Sequence, residues 1–248
     1  MSPAVTAQRL VLVAHGSRDP RFGDTSRRVR AAVADALPAV DVRLAFLDLD
    51  EPLVGEALAG LNDDCVVVPL LLAPGYHSEI DLPAIIAEHA RGTVRCGEVI
   101  GRHSLTQALA DRLTEAGTCE GDGIVLTAVG SSNPLADSLV RRRAIELSTR
   151  LHRPVEVVYA TRLGARDRAL RSAIRRLHAA GAQRIVVSPY FLSAGLLTER
   201  IEDALDRIAP GSLVAGPIGT HPVLIEAVVE SYRSACRIRA RPAAAQTR

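Results

Sequence analysis

The sequence predicts an α/β protein built from two tandem copies of one unit, each a four-stranded parallel sheet flanked by helices. Three observations predict it. Short apolar runs of strand length alternate with Ala- and Arg-rich segments of helical length, the pattern of β/α units joined by right-handed crossovers. The order of motifs then recurs at a nearly constant offset of 114 to 120 residues. The 248-residue chain is 48% hydrophobic but only 3% aromatic, with no Trp. Its core must therefore be made of Val, Leu, Ile and Ala, which suits buried parallel strands.

In chain order, Leu10 to Ala14 is a compact apolar run ending at His15-Gly16. A strand followed at once by Gly-Ser-Arg-Asp is expected there rather than a signal peptide. An Arg/Ala-rich helix is expected around residues 23–37, a second strand from Val42 to Leu47, and a helix from Glu51 to Leu61 with Pro52 in its first turn. Cys65 to Leu72 reads as the third strand, with Cys65 a small core residue, running into Ala-Pro-Gly-Tyr-His77. Asp81-Leu-Pro83 has the form of a helix start with Asp as cap. Val94 to Ile100 gives the fourth strand, and Ser104 with Gln107 has capping-box spacing for a closing helix.

The second copy follows a Gly-rich join near residues 114–122. Ile124 to Ser131 mirrors Leu10 to Ser17, Val186-Val-Ser-Pro189 mirrors Val66-Val-Val-Pro69, and Ile218-Gly-Thr-His221 mirrors Ile100-Gly-Arg-His103. A period this long means fused domains rather than a solenoid. We place the first repeat at residues 1–117, the second at 123–238, and a disordered tail at 239–248. Such a chain is expected to be a monomer with internal pseudo-twofold symmetry.

Two copies inside one chain supply their own comparison. Gly16/Gly130, Pro20/Pro134, Pro69/Pro189 and Gly75/Gly195 persist and fit tight turns and strand ends. His103 and His221 also persist and read as structural, while His89, His152 and His178 read as solvated. His15 and His77 do not persist: their counterparts are Val129 and Leu197. In a parallel sheet, ligands gather beyond the C-terminal ends of the strands. Both histidines follow such ends, so they are expected to meet in one site on the first copy.

Composition excludes other classes. A net charge of +2, with 30 basic residues that are all Arg interspersed among 28 acidic ones, does not suggest nucleic acid as a partner. No apolar stretch approaches the roughly 18 residues needed to span a bilayer. The four Cys show no Cys-x-x-Cys spacing, so neither a zinc ribbon nor a disulfide scaffold is indicated, and a reduced, cytoplasmic protein is expected.

Leu-Val-Ala-His15-Gly-Ser-Arg-Asp-Pro20, Ala45-Phe-Leu-Asp48-Leu, Pro69 to His77 with Asp81-Leu-Pro83, and Ile100-Gly-Arg-His103 together resemble the sirohydrochlorin chelatases, the CbiX/SirB type of class II chelatase. The resemblance spans nearly the whole first repeat, and the C-terminal repeat resembles the degenerate half of the fused, two-domain members. It implies chelatase-like, flavodoxin-like halves facing each other across a cleft. It also implies a lyase that inserts Fe²⁺ or Co²⁺ into sirohydrochlorin on the way to sirohaem or cobalamin, with Ni²⁺ or Zn²⁺ accepted in vitro and no cofactor beyond that metal.

The resemblance places the metal on His15 and His77 and an acid in the strand-two region. That position holds Asp48 where the family commonly has Glu, and Glu51 is a nearby substitute. Neutral imidazoles suit such ions and release them again. Sirohydrochlorin carries eight carboxylates, which Arg18 and Arg21 could meet as bidentate donors, with Ser17, Tyr76 and Ser78 as further substrate contacts. Arg27, Arg28 and the serines also fit plain surface or turn roles. Two alternatives stay open: a non-catalytic carrier of metal or tetrapyrrole, and a histidine phosphatase. The latter needs an Arg before the histidine, where this chain has Ala14.

Overall fold

The structure, a computed structural model, describes residues 9–237. The expected tail at 239–248 lies outside them. Among the described residues, eight strands form two parallel sheets of four, ordered β2-β1-β3-β4 and β6-β5-β7-β8. The first holds β1 (Arg9–Ala14), β2 (Asp41–Phe46), β3 (Cys65–Pro69) and β4 (Val94–Cys96), and the second holds β5 (Asp122–Ala128), β6 (Val155–Tyr159), β7 (Arg184–Pro189) and β8 (Leu213–Val214). The central strands β1, β3, β5 and β7 are buried almost throughout, as their unbroken Val/Leu/Ile runs require.

Helices α1 (Pro20–Ala36), α2 (Val54–Ala59), α3 (Leu82–His89) and α4 (Thr106–Glu115) belong to the first repeat, and α5 (Pro134–Leu151), α6 (Arg168–Ala179), α7 (Leu196–Ile208) and α8 (Pro222–Arg237) to the second. Val11, Val13 and Val67 pack outward with Val54, Leu58 and Leu82 of α2 and α3. Val125 and Val187 pack likewise with Leu170, Leu177, Ile201 and Leu205 of α6 and α7. Between the sheets one continuous core joins Leu10, Leu12 and Val68 to Ile124, Leu126 and Val186.

The closing helices of the two repeats are exchanged. α4 packs on β7 and α5, whereas α8 packs on β3, β4 and α1. Each sheet is thus covered on its inner face by the last helix of the other copy. Buried Arg143 of α5 crosses the same boundary, donating to the carbonyls of Gly101 and Arg102 and pairing with Glu146, which also accepts from Ser104 and Thr106. The halves do face each other, but helices fill the space between them. What remains open is the edge formed by the strand C-termini.

Several boundaries differ from the sequence reading. α2 begins at Val54, because Phe46 N–H donates to the Pro52 carbonyl and Leu53 bridges Phe46, which keeps that stretch extended. β3 stops at Pro69 and β4 at Cys96. The Ser104–Gln107 capping box does not form: Ser104 Oγ donates to Thr106 and Glu146, and Gln107 bonds Asp111. Asp81 has helical backbone angles and caps no amide. Cys65 is buried as expected. His221 takes a structural role, accepting from Val223 N–H at the start of α8 and meeting Asp111 of α4 at 3.2 Å.

The join between the repeats is tied by a buried carboxylate. Asp122 accepts both ends of Arg184 and the amide of Cys119, and Arg184 also donates to the Gly117 carbonyl. The Arg184 hydrogen bonds hold the Asp122 carboxyl below its ordinary value of 3.8, against the opposing effect of burial. A carboxyl depressed on folding stabilises above its unfolded pKa, and that stabilisation is lost as pH falls through the folded value. Asp122→Asn is therefore expected to be less stable than the parent at pH 7, the gap shrinking as pH drops below 3.8. Urea unfolding of both proteins across that range checks it. A gap that widens on acidification would contradict the assignment.

Candidate functional site

His15 stands directly after β1 and His77 eight residues beyond β3, and the two rings meet. Their centroids are 4.5 Å apart, with the planes at 85°. The site sits at the C-terminal edge of the first sheet, where adjacent parallel strands β1 and β3 deliver their following loops side by side. His15 is partly buried, and the His77 side chain is 48% exposed. His15 Nδ1 lies 3.2 Å from the Gly16 carbonyl and His77 Nδ1 lies 2.8 Å from Asp81 Oδ2. Carbonyl and carboxylate oxygens only accept, so in the neutral rings these contacts favour the proton on Nδ1 and leave the lone pair on Nε2. Such nitrogens are metal ligands.

The backbone at His15 is laced to the loop after β2. Asp48 N–H donates to the His15 carbonyl, and Asp50 accepts from Ser17 N–H. Gly16 at φ +95° lets the Asp48 carbonyl pass where a Cβ would stand. Leu49 takes φ +63°, held by its N–H donating to Asp48 Oδ1 at 2.8 Å.

Several of the expected site residues have hydrogen-bond partners of their own. Asp48 shares the loop but turns its carboxylate back to Leu49 N–H. Among the described residues no group of three or more His, Cys, Asp or Glu is gathered to hold a metal. Ser17 Oγ accepts from Asp19 N–H, as Ser131 Oγ accepts from Asn133 N–H in the second copy, so its hydroxyl closes a turn. Ser78 does the same with Gly75, matched by Thr198 with Gly195.

Arg21 is committed elsewhere: it chelates Asp19 and pairs with Glu199 of the second repeat at 2.6 Å, a latch beside which Thr25 donates to Ser193. The Arg21 hydrogen bond holds the Asp19 carboxyl below its usual range. Arg18 and Tyr76 are exposed at the rim. They remain available to a ligand. In the same repeat Leu49 and Ile80 also expose apolar side chains.

Sequence reasoning missed Glu199, whose distance along the chain gives no signal, and the true partner of Asp81, whose i,i+4 spacing from His77 was the available signal. A cavity of about 450 Å³ lies at the opposite edge of the second sheet, lined by Arg171, Arg175, His178 and Ser212. Of these, His178 sits in the last turn of α6, where a helix dipole favours cations.

The CbiX family model matches residues 9–116 and again 123–235. The chain belongs to the CbiX family. The double match falls on the two repeats, with α4 and α8 closing each. Among CbiX relatives, the sirohydrochlorin cobaltochelatase of Priestia megaterium is 27% identical over 234 residues, covering 87% of this chain and 76% of that protein. SirB from Bacillus subtilis with Fe³⁺ superposes with a TM-score of 0.75 at 24% identity, over 93% of this chain and 96% of that one. SirB from the subspecies spizizenii, in complex with cobalt, gives 0.69 at 22%, over 93% and 95%. At these identities the superpositions establish the shared CbiX fold.

Proposed function

We propose that this protein is a sirohydrochlorin metal-chelatase, a lyase that inserts Fe²⁺ or Co²⁺ into sirohydrochlorin in sirohaem or cobalamin synthesis. The observation that carries it is the His15–His77 pair: two imidazoles at one open sheet edge, each with Nδ1 occupied, in only one of two otherwise matching copies. The related cobaltochelatase and the iron- and cobalt-bound neighbours point the same way.

In this reading His15 and His77 hold the incoming ion. Two neutral nitrogens bind a first-row cation reversibly, which a delivery site requires and a cage of four thiolates would defeat. Insertion replaces two pyrrole N–H bonds with metal–nitrogen bonds and releases two protons. Asp48 is the loop carboxylate able to accept one, after a turn of its side chain away from Leu49, with Glu51 as the substitute, and the other passes to solvent at the open edge. Tyr76 and the apolar rim receive the flat macrocycle and Arg18 meets its carboxylates, while Ser17, Ser78 and Arg21 shape the walls. The metal is substrate, and the reading includes no other cofactor.

No helix of the described residues is long and apolar enough to cross a membrane. The four free cysteines fit a reducing cytoplasm, and the internal pairing of repeats fits a monomer.

A carrier would use the same two histidines. Anaerobic incubation of sirohydrochlorin with Co²⁺ or Fe²⁺, followed by visible absorption, separates the readings. A chelatase turns over many equivalents faster than the protein-free reaction. Metallation at the spontaneous rate, with one equivalent retained, would favour the carrier.

A further inference from the structure

We propose that Asp81 is the positioning residue of this site: its carboxylate holds His77 in the tautomer and orientation that presents Nε2 to the ion. The inference rests on the metal-site reading of His15 and His77. Asp81 Oδ2 lies 2.8 Å from His77 Nδ1. A neutral imidazole can carry its proton on either nitrogen, and a carboxylate facing Nδ1 selects the form with the lone pair on Nε2. Asp81 caps no amide and is one-third exposed.

The local backbone is shaped for this contact. Residues His77–Asp81 form a π turn, in which Leu82 N–H donates to the His77 carbonyl five residues back. Such widened turns are uncommon and concentrate at functional sites. The Gly75–Ser78 turn, which contains His77, is reproduced in the second copy as Gly195–Thr198. Within that shared turn and beyond it the side chains diverge. His77 becomes Leu197, Asp81 becomes Ile201, and the segment is plain α-helix from Leu196 with Ile201 buried in the core. Histidine, aspartate and π turn are thus lost together while the turn that contains the histidine position stays. A residue kept for folding would have no reason to disappear with the ligand.

His15 is oriented differently, by a backbone carbonyl, so only His77 depends on a side chain that substitution can remove. Loss of such an outer partner costs about 10–100-fold in metal affinity.

The test compares Asp81→Ala, Asp81→Asn and His77→Ala with the parent. Long-range ¹⁵N–¹H correlation of the histidine rings reads the tautomer in metal-free protein, and Co²⁺ titration followed by visible absorption reads affinity. The parent is expected to show His77 as the Nδ1–H form. Asp81→Ala should move His77 toward the Nε2–H form and weaken Co²⁺ about 10–100-fold. Asp81→Asn keeps the shape and an accepting oxygen, so it should retain the tautomer and recover most of the affinity. Asp81→Ala that keeps the Nδ1–H form and binds Co²⁺ as the parent does, while His77→Ala loses it, overturns the role of Asp81 alone. His77→Ala that binds Co²⁺ like the parent overturns the metal-site reading and this proposal with it.

Discussion

His77→Ala is expected to slow metallation of sirohydrochlorin by about 100-fold or more at subsaturating metal, since removing a ligand should cost at least as much as removing a ligand's partner. The site offers two imidazoles and, among the described residues, no third His, Cys, Asp or Glu placed to hold a metal ion with them. Truncating one leaves a single nitrogen to compete with water for the ion. The His77 side chain is half exposed at the start of the π turn, so its loss opens no core cavity and the unfolding midpoint should stay close to the parent's. Val129→Ala, at the position equivalent to His15 in the second copy, is the matched control and should leave the rate nearly unchanged. Initial rates over a series of Co²⁺ concentrations check both. Equal losses in the two variants would mean that the working half has been misassigned.

Gly16→Ala should produce a large structural effect at the site. A Cβ at Gly16 would stand 1.6 Å from the Asp48 carbonyl oxygen and 2.8 Å from its carbon, and the residue sits at φ +95°. Both obstacles are backbone, and that backbone is the loop whose Asp48 N–H holds the His15 carbonyl. The strained conformation costs roughly 1–2 kcal/mol and the forced displacement roughly 1–3 more, so a loss on the order of 3 kcal/mol is expected. For a chain of this size that corresponds to a fall in Tm of roughly 6–12 °C.

Gly130 supplies the comparison inside the same molecule. Its φ is +91°, but the nearest obstacles are side-chain atoms of Thr161, Tyr159 and Arg162. Gly130→Ala should cost less stability and leave the metallation rate per folded molecule intact, whereas Gly16→Ala should lose rate as well. Calorimetry with the spectral assay decides, and a Gly16→Ala enzyme of parental rate would show that the loop after β2 does not position His15.

The legible part of the site is the part written in local pattern. His15 follows an apolar run that can only be a buried strand, and His77 follows another. Two parallel central strands must put their next residues on the same edge, so the meeting of the rings follows from topology. The duplication makes the loss of both histidines visible without any other sequence. Asp48, Arg21 and Asp81 are not legible in this way, because their roles depend on partners. Asp48 bonds its own neighbour Leu49, Arg21 is taken by Asp19 and Glu199, and Asp81 faces His77 instead of capping α3. A charged residue near a strand end carries the same local signal whether it faces a ligand or a latch.

By itself, then, the sequence determined two β/α repeats, the burial of their central strands, and which copy keeps the histidines, because hydrophobic periodicity and turn chemistry act over a few residues. Only the tertiary structure decided that α4 and α8 trade sheets, that Glu199 pins Arg21 from the other repeat, and that a π turn swings Asp81 under His77. Those outcomes follow from which apolar face finds which partner and which buried polar group finds a counter-charge, and such choices are made between segments far apart in the chain.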